Sequence, residues 1–342
     1  MKKGKRQTVK IAAVYAGAVL GAGFASGQEL MVFFVRYGVR GLWGSALAGI
    51  FFALFGALLL SRAKDLKEKS FKSYLINIYG KKLAGWFYFI VELFLAVSFC
   101  IMLSGSGALF QEQFHLPPIV GVIVTALICF LVLQGNLKGL TTINLLLVPF
   151  MIAGMVFTCV GYLIAQHREI WLPLSIGDGK FFLSVFLYVS FNMITASAVL
   201  VPLSRLSDTK KIAACGGLLG GLALMLAAVL ACVALYTAFA APDGSQLPLL
   251  AVSRGLGMVW SWVYALVLYM AMLTTAAANG FSVVEHFAGK GKNRRLSAAV
   301  LCLAAIPASL IPFSRLVESC YTFFGILGLA LLCGIVYDWF RN

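Results

Sequence analysis

Charged residues are scarce in this sequence. Only 11% of its 342 residues are Asp, Glu, Lys or Arg, whereas 61% are hydrophobic and the mean hydropathy is +0.96. A soluble domain carries about 25% charged residues, so this chain has too little charge to solvate a globular surface. Apolar runs of about 20 residues, each long enough to cross a hydrocarbon core of ~30 Å, recur along the chain. The composition excludes a soluble domain and predicts a polytopic protein of the lipid bilayer.

Sequence motifs of metal sites, disulfide frameworks and hydrolases are also lacking. The eight cysteines form no CxxC pair and lie in or at the ends of apolar runs, which is typical of small buried residues. There is no HExxH sequence, and His115, His167 and His286 all fall near the ends of apolar runs. The sequence therefore predicts a protein that is not an enzyme and has no resident cofactor.

The basic residues lie between the apolar runs, although the net charge is +15. If the amino terminus is cytoplasmic, 21 of the 27 Lys and Arg fall in cytoplasmic segments and 6 on the other side, as the positive-inside rule requires. This distribution argues against a nucleic-acid partner and predicts both termini in the cytoplasm.

The predicted spans are 10–36, 41–61, 83–114, 118–134, 140–166, 181–203, 212–240, 247–287, 296–312 and 316–340.

Ten spans divide into two units of five. Because five is an odd number, a second copy of the unit enters the membrane from the opposite side, and this is typical of an inverted-topology repeat. We expect one all-α membrane domain with the first repeat at 1–170 and the second at 171–342.

The first span contains residues that weaken a helix. It holds the sequence GAGFASGQE at 21–29, with Gly17 one turn earlier. Glycines spaced by four also permit close helix packing, but the added Ser26, Gln28 and Glu29 favour an interruption of the helix. Non-helical backbone is tolerated at membrane depth only beside protein or a water-filled cavity. The pattern therefore predicts a broken helix next to a binding site.

The sixth and eighth spans carry further polar clusters. Ser190, Asn192 and Thr195 interrupt the sixth span near its middle, and a break there would be the counterpart of the first. The alternative is that these side chains bond within the helix or to a neighbouring helix. In the eighth span, Thr274 and Thr275 offer hydroxyl oxygens suited to a hard cation, or they bond to carbonyls of their own helix.

The stretch GAGFASGQE, followed by FFVRYG at 33–38, resembles the YkvI-like family of bacterial membrane proteins, within the LeuT-fold (amino acid–polyamine–cation) superfamily. The resemblance implies a ten-helix core with helices 1 and 6 broken around a small substrate, in a bacterial plasma membrane. It implies substrate contacts at Ala22, Gly23, Phe24, Gly27, Gln28, Glu29, Ser104, Phe191, Asn192 and Thr195. It also implies a sodium ion held by carbonyls and hydroxyls of Gly17, Leu20, Ala271, Thr274 and Thr275.

Two acidic residues fall within predicted spans, and such groups are functional candidates. Glu29 is interpreted as a proton carrier, as a ligand for a cation or amine, or as a partner of Arg36; Glu92 is interpreted as structural. We predict a secondary active transporter of an amino acid or similar solute, coupled to sodium or protons. A receptor of the same fold that does not transport is the alternative, whereas no repeated pore-lining motif favours a channel.

Overall fold

A computed structural model describes residues 2–66, 70–135, 137–166, 180–238, 244–288 and 293–341, with only the backbone at 2, 137–146 and 288. These residues form helices and turns, with no strand among them. The α-helices are α1 (Lys2–Val19), α2 (Ala22–Ser26), α3 (Gln28–Phe33), α4 (Val39–Asp65), α5 (Phe71–Phe114), α6 (Pro118–Leu133), α7 (Leu137–Gln166), α8 (Phe181–Leu203), α9 (Lys210–Ala238), α10 (Pro248–Arg254), α11 (Met258–Ala288), α12 (Arg294–Ala308), α13 (Phe313–Leu316) and α14 (Thr322–Arg341).

The bundle is built from membrane-length apolar helices. Within the described ranges, seven segments are long and apolar enough to span a bilayer: Val39–Asp65, Phe71–Phe114, Leu147–Ala165, Phe181–Leu206, Lys210–Ala238, Met258–Phe287 and Phe313–Arg341. The interrupted segment α1–α3 and the shorter helices α6 and α12 complete an order that is consistent with the ten predicted spans. The all-helical fold class is therefore confirmed.

The first segment is interrupted twice, as its sequence predicts. After α1 ends at Val19, Gly21 adopts an extended conformation (φ −87°, ψ −172°). The five-residue α2 then ends at Gly27, which adopts a left-handed conformation (φ 83°) that glycine tolerates best. The segment therefore crosses the bundle as two helical parts joined by a short linking helix.

The sixth span is not broken, in contrast to the prediction. Helix α8 runs without interruption from Phe181 to Leu203. Asn192 Nδ2 donates to the Tyr188 carbonyl at 3.0 Å, and the Thr195 hydroxyl donates to the Asn192 carbonyl at 3.0 Å. The polar side chains are thus satisfied by the preceding turn of their own helix, and residues 181–203 contain no glycine at which the backbone would readily leave the helix.

Two of the longest predicted spans have different limits from those expected. The run 247–287 is divided into α10 and α11, because Gly257 lies between them with φ 106°. Helix α5 begins at Phe71, but Gly80 (φ 73°) separates a first part from the long helix that follows. The eighth predicted span therefore consists of two helices, the short α10 and the long α11.

Small residues bring the central helices into backbone contact. A Cβ built on Gly221 of α9 would lie 2.1 Å from the Ala53 nitrogen of α4, and one on Gly217 would lie 2.5 Å from the Ala57 nitrogen. Helices α1 and α8 also pack against this pair, α1 on α9 and α8 on α4. Such reciprocal packing is what an inverted repeat requires, while the repeat and its boundary stay a prediction, since residues 167–179 lie outside the described ranges.

Ion pairs connect the segments at both ends of the bundle. At the end that holds the termini, Lys3 lies 3.0 Å from Asp208, and Arg62 donates to Asp338 at 2.9 Å. The neighbouring Gln7 and Lys3 hold the pKa of the exposed Asp208 carboxyl below its usual value. Segments predicted to be cytoplasmic therefore meet at one end of the molecule.

Candidate functional site

A cavity of about 410 Å³ lies beside the first interruption. Its walls come from α1–α3, α5, α7, α8, α11 and the π-helical turn Val317–Tyr321 that precedes α14. A cavity of this size falls within the range of small-molecule sites, about 300–1,000 Å³. Nine of the residues implied by the resemblance line it: Gly17, Leu20, Ala22, Gly23, Glu29, Phe191, Asn192, Thr195 and Thr275.

The other six implied residues do not line this cavity. Phe24 faces a separate small cavity next to α7, and Gly27 packs against Leu249. Ser104 donates to the Ile311 carbonyl at 2.7 Å, so this hydroxyl ties α5 to the turn before α13. The remaining members are buried in their helices: Gln28, Ala271 and Thr274. Contacts from these six residues to a substrate or ion stay predictions.

Glu29 is placed in the cavity by the glycine turn at residue 27. That turn starts α3, so the side chain of its second residue points back towards the first interruption. A Cβ built on Gly23 would lie 1.9 Å from Glu29 Oε1, which means that the carboxyl group rests on the Gly23 backbone. The side chain is buried, and its Oε2 has no hydrogen-bond partner.

The first interruption also frees a carbonyl group. The Gly21 amide donates to the Val19 carbonyl at 2.7 Å, and not to the Gly17 carbonyl one helical turn earlier. Gly17 and Thr275 line the same cavity. The Thr274 hydroxyl, in contrast, donates to the carbonyls of Met270 and Ala271 at 2.9 and 3.2 Å. Of the two threonines, Thr275 is therefore the one that faces the cavity.

Several polar residues of the cavity were missed at the level of sequence. Asn279 Nδ2 donates to the Ser98 hydroxyl at 2.9 Å, and Ser98 lies within hydrogen-bonding reach of the Tyr321 hydroxyl. Ser282 lies one turn after Asn279 on α11. The signal was the spacing of Thr275, Asn279 and Ser282, because residues at i, i+4 and i+7 share one helix face.

The cavity extends towards the end of the bundle that holds the termini. Its lining includes Val199, which is 40% exposed and lies close to the end of α8. Towards the other end it is closed by aromatic rings: Phe33 lies 5.5 Å from both Tyr188 and Phe191, between ring centroids. The Tyr264 hydroxyl also donates to the Ala25 carbonyl at 2.6 Å and fixes α2 against α11.

A salt bridge lies beyond these rings. Arg36 Nη1 donates to Glu318 Oε1 at 2.7 Å, between the end of the first segment and the π-helical turn. Arg254 and Glu112 form a second pair at this end, at 3.7 Å. The aromatic rings and these ion pairs therefore lie on one side of the cavity, whereas the cavity itself extends towards the opposite end of the protein.

Known proteins are similar to this chain in sequence and in architecture. The uncharacterized membrane protein YkvI of Bacillus subtilis (strain 168) is 29% identical over 339 residues, which cover 97% of this chain and 96% of that protein. No family model matches the chain.

Solved transporter structures are similar in fold. The inward-facing conformation of Mhp1 superposes with a TM-score of 0.70 at 13% identity, covering 98% of this chain and 76% of that one. The manganese transporter of Eremococcus coleocola, in complex with an aromatic bis-isothiourea substituted compound, gives 0.67 at 15% identity and covers 96% and 78%. MhsT in complex with L-phenylalanine gives 0.66 at 16% identity and covers 94% and 86%.

These similarities extend over nearly the whole chain and agree with the interrupted first segment and its adjoining cavity. The chain is thus similar over nearly its whole length to the membrane protein YkvI and has the LeuT fold, as the GAGFASGQE motif indicated.

Proposed function

We propose that the protein is a secondary active transporter of an amino acid or a similar small organic solute, in a bacterial plasma membrane with both termini in the cytoplasm. The observation that carries this proposal is a cavity beside the interrupted first segment, which extends towards the end that holds the termini and has aromatic rings and a salt bridge at the other end. Alternating access needs this arrangement, together with a second state in which the closed end opens. The inward-facing Mhp1 structure, which has the same fold, supports the assignment.

The chemistry of the lining favours an organic solute over a metal ion. Asn192, Thr195, Ser98 and Asn279 provide neutral donors and acceptors, and Glu29 provides a carboxylate. In the part of the chain that the structure describes, no three His, Cys, Asp or Glu side chains come together. Transition metals are bound by clusters of such ligands, so the cavity matches the amino acid bound by MhsT better than the cargo of a manganese transporter.

Sodium is the proposed coupling ion, and a proton carried by Glu29 is the alternative. The carbonyl freed at Gly17 in α1 and the hydroxyl of Thr275 in α11 are hard oxygen ligands from two helices that line the same cavity. Leu20, Ala271 and Thr274 are the further proposed ligands. A hydroxyl that donates to its own helix retains a lone pair for an ion, which makes the bonding of Thr274 compatible with this role.

Uptake by proteoliposomes tests the function. The purified protein is reconstituted and offered radiolabelled amino acids and amines, with sodium and proton gradients imposed separately. The proposal predicts accumulation of at least one solute under one of the gradients. Ligand binding without accumulation under either gradient would contradict transport and favour a receptor.

A further inference from the structure

The cavity contains an acidic side chain for which the described part of the chain supplies no basic partner. Among the residues that line it, Glu29 is the single one with an ordinarily charged side chain. The residue is only 5% exposed, and its Oε2 accepts no hydrogen bond. A buried carboxylate is unfavourable unless a cation or hydrogen-bond donors compensate it.

The basic groups nearby in sequence are engaged elsewhere. Arg36, two turns beyond Glu29, is paired with Glu318 at the closed end. The other ion pairs of the described residues likewise use different carboxylates, at Asp208, Asp338, Asp65 and Glu112. When Glu29 is ionised, the compensating positive charge therefore has to come from a bound solute or ion.

Aromatic rings form the wall next to this carboxylate. The rings of Phe191 and Tyr321 are stacked with centroids 4.6 Å apart, and Phe94 lies 6.5 Å from Phe191. All three line the cavity together with Glu29. Ring faces attract cations, and a compact organic ammonium group combines this attraction with a hydrogen bond to the carboxylate.

The position of the carboxylate depends on a missing side chain. Glu29 Oε1 occupies the space that a Cβ at position 23 would need. Gly23 lies within α2, and because it has no side chain it provides the room that holds the acidic group at the cavity wall.

We infer that the cavity selects solutes that carry a positively charged nitrogen, with the ammonium group on Glu29 beside Phe191 and Tyr321. This inference rests on the proposed function and names its substrate class. The neutral groups Asn279 and Ser98, which line the same cavity, then contact the remainder of the solute.

Matched ligand pairs test the inference by binding alone. The full chain in lipid nanodiscs is titrated at constant pH and sodium with phenethylamine and phenethyl alcohol, isoamylamine and isoamyl alcohol, and leucine and its 2-hydroxy acid counterpart. In at least one pair the amine binds about tenfold or more tightly than the hydroxyl compound, because hydrogen bonds to charged groups are the stronger ones.

Four variants locate the effect. Glu29→Gln, of similar shape and uncharged, abolishes the preference for the amine, whereas Glu29→Asp retains part of it. Gly23→Ala reduces the preference, because its methyl group displaces the carboxylate. Glu92→Gln is the matched control: Glu92 is also 5% exposed with an unpartnered Oε2, but it does not line the cavity, so the preference is retained. Size-exclusion profiles check that each variant is folded.

Several results overturn the inference. Equal binding of both members of every ligand pair would overturn it. An amine preference that survives in a folded Glu29→Gln protein would also overturn it. The inference is also overturned if Glu29 is needed only for the binding of sodium or a proton, and its replacement has no effect on the binding of amines. Amine binding without uptake in proteoliposomes contradicts transport and leaves the inference intact, whereas uptake of solutes without any amine preference contradicts the inference and leaves transport intact.

Discussion

Replacing Gly27 with alanine is expected to destabilise the protein through two separable effects. The residue lies between α2 and α3 with φ 83° and ψ −9°, and an L-residue in the left-handed region costs about 1–2 kcal/mol. A Cβ there would also lie 2.9 Å from Leu249 Cγ and 3.1 Å from the Leu249 nitrogen. Backbone atoms cannot move aside as easily as the end of a flexible side chain. The close contact therefore lowers the free energy of unfolding by a further amount of about 1–3 kcal/mol. The sum is about 2–5 kcal/mol.

Gly257→Ala is the matched control. Gly257 also has a positive φ, 106°, but a Cβ at this position meets nothing within 4 Å. This variant therefore suffers the backbone effect alone, about 1–2 kcal/mol. The change in the unfolded chain is the same for both glycine-to-alanine substitutions and cancels in the comparison.

Equilibrium unfolding in detergent, followed by circular dichroism, measures the free energy of unfolding for both variants. The expected difference between them is about 1–3 kcal/mol, with Gly27→Ala the less stable. Equal losses would refute the close contact between Gly27 and α10, and with it the tight closure of the bundle on this side of the cavity.

Three further predictions concern side chains. Arg36→Gln lowers solute uptake but changes the free energy of unfolding by no more than about 1 kcal/mol, since the Arg36–Glu318 pair is exposed. The double variant Arg36→Glu/Glu318→Arg, which exchanges the two charges, retains uptake. Thr275→Val abolishes the sodium dependence of uptake and leaves the melting temperature unchanged. Asp338→Ala, which leaves the largely buried Arg62 without its carboxylate, costs about 3–5 kcal/mol in chemical unfolding.

Two of these have a counterpart elsewhere in the chain. Asp65→Ala removes the partner of the half-exposed Lys210 and is expected to cost no more than about 1 kcal/mol; a loss as large as that of Asp338→Ala would contradict the argument from burial. Thr237, whose hydroxyl bonds to its own helix in α9, serves as control for Thr275. An unchanged sodium response in Thr275→Val would remove the ion assignment.

The interruption of the first segment could be predicted because its cause is local. Gly21, Gly23 and Gly27 weaken the helix by their own conformational freedom, and the polar residues beside them are unfavourable in lipid. The continuity of α8 could not be predicted in the same way. Whether Asn192 and Thr195 bond to their own helix or accompany a break depends on side-chain orientation, which composition does not determine.

The cavity itself was only partly predictable. Glu29 and Thr275 were identified because each stands in a conspicuous local pattern. Ser98, Asn279 and Tyr321 come from three different helices, so their proximity is a property of packing. Ser98 and Tyr321 are single polar residues in apolar runs and carry no such pattern, whereas Asn279 shares a helix face with Thr275. The structure is needed to bring all three together.

The two non-helical glycines of the first segment have a mechanical consequence. A continuous helix transmits a rotation from one end to the other, because its hydrogen bonds resist twisting at every turn. Here Gly21 and Gly27 enclose five residues, so torsion applied to α3 beside the salt bridge is absorbed before it reaches α1. Helices α1 and α3 are consequently able to reorient independently of each other, whereas the uninterrupted helix α8 moves as one rigid element.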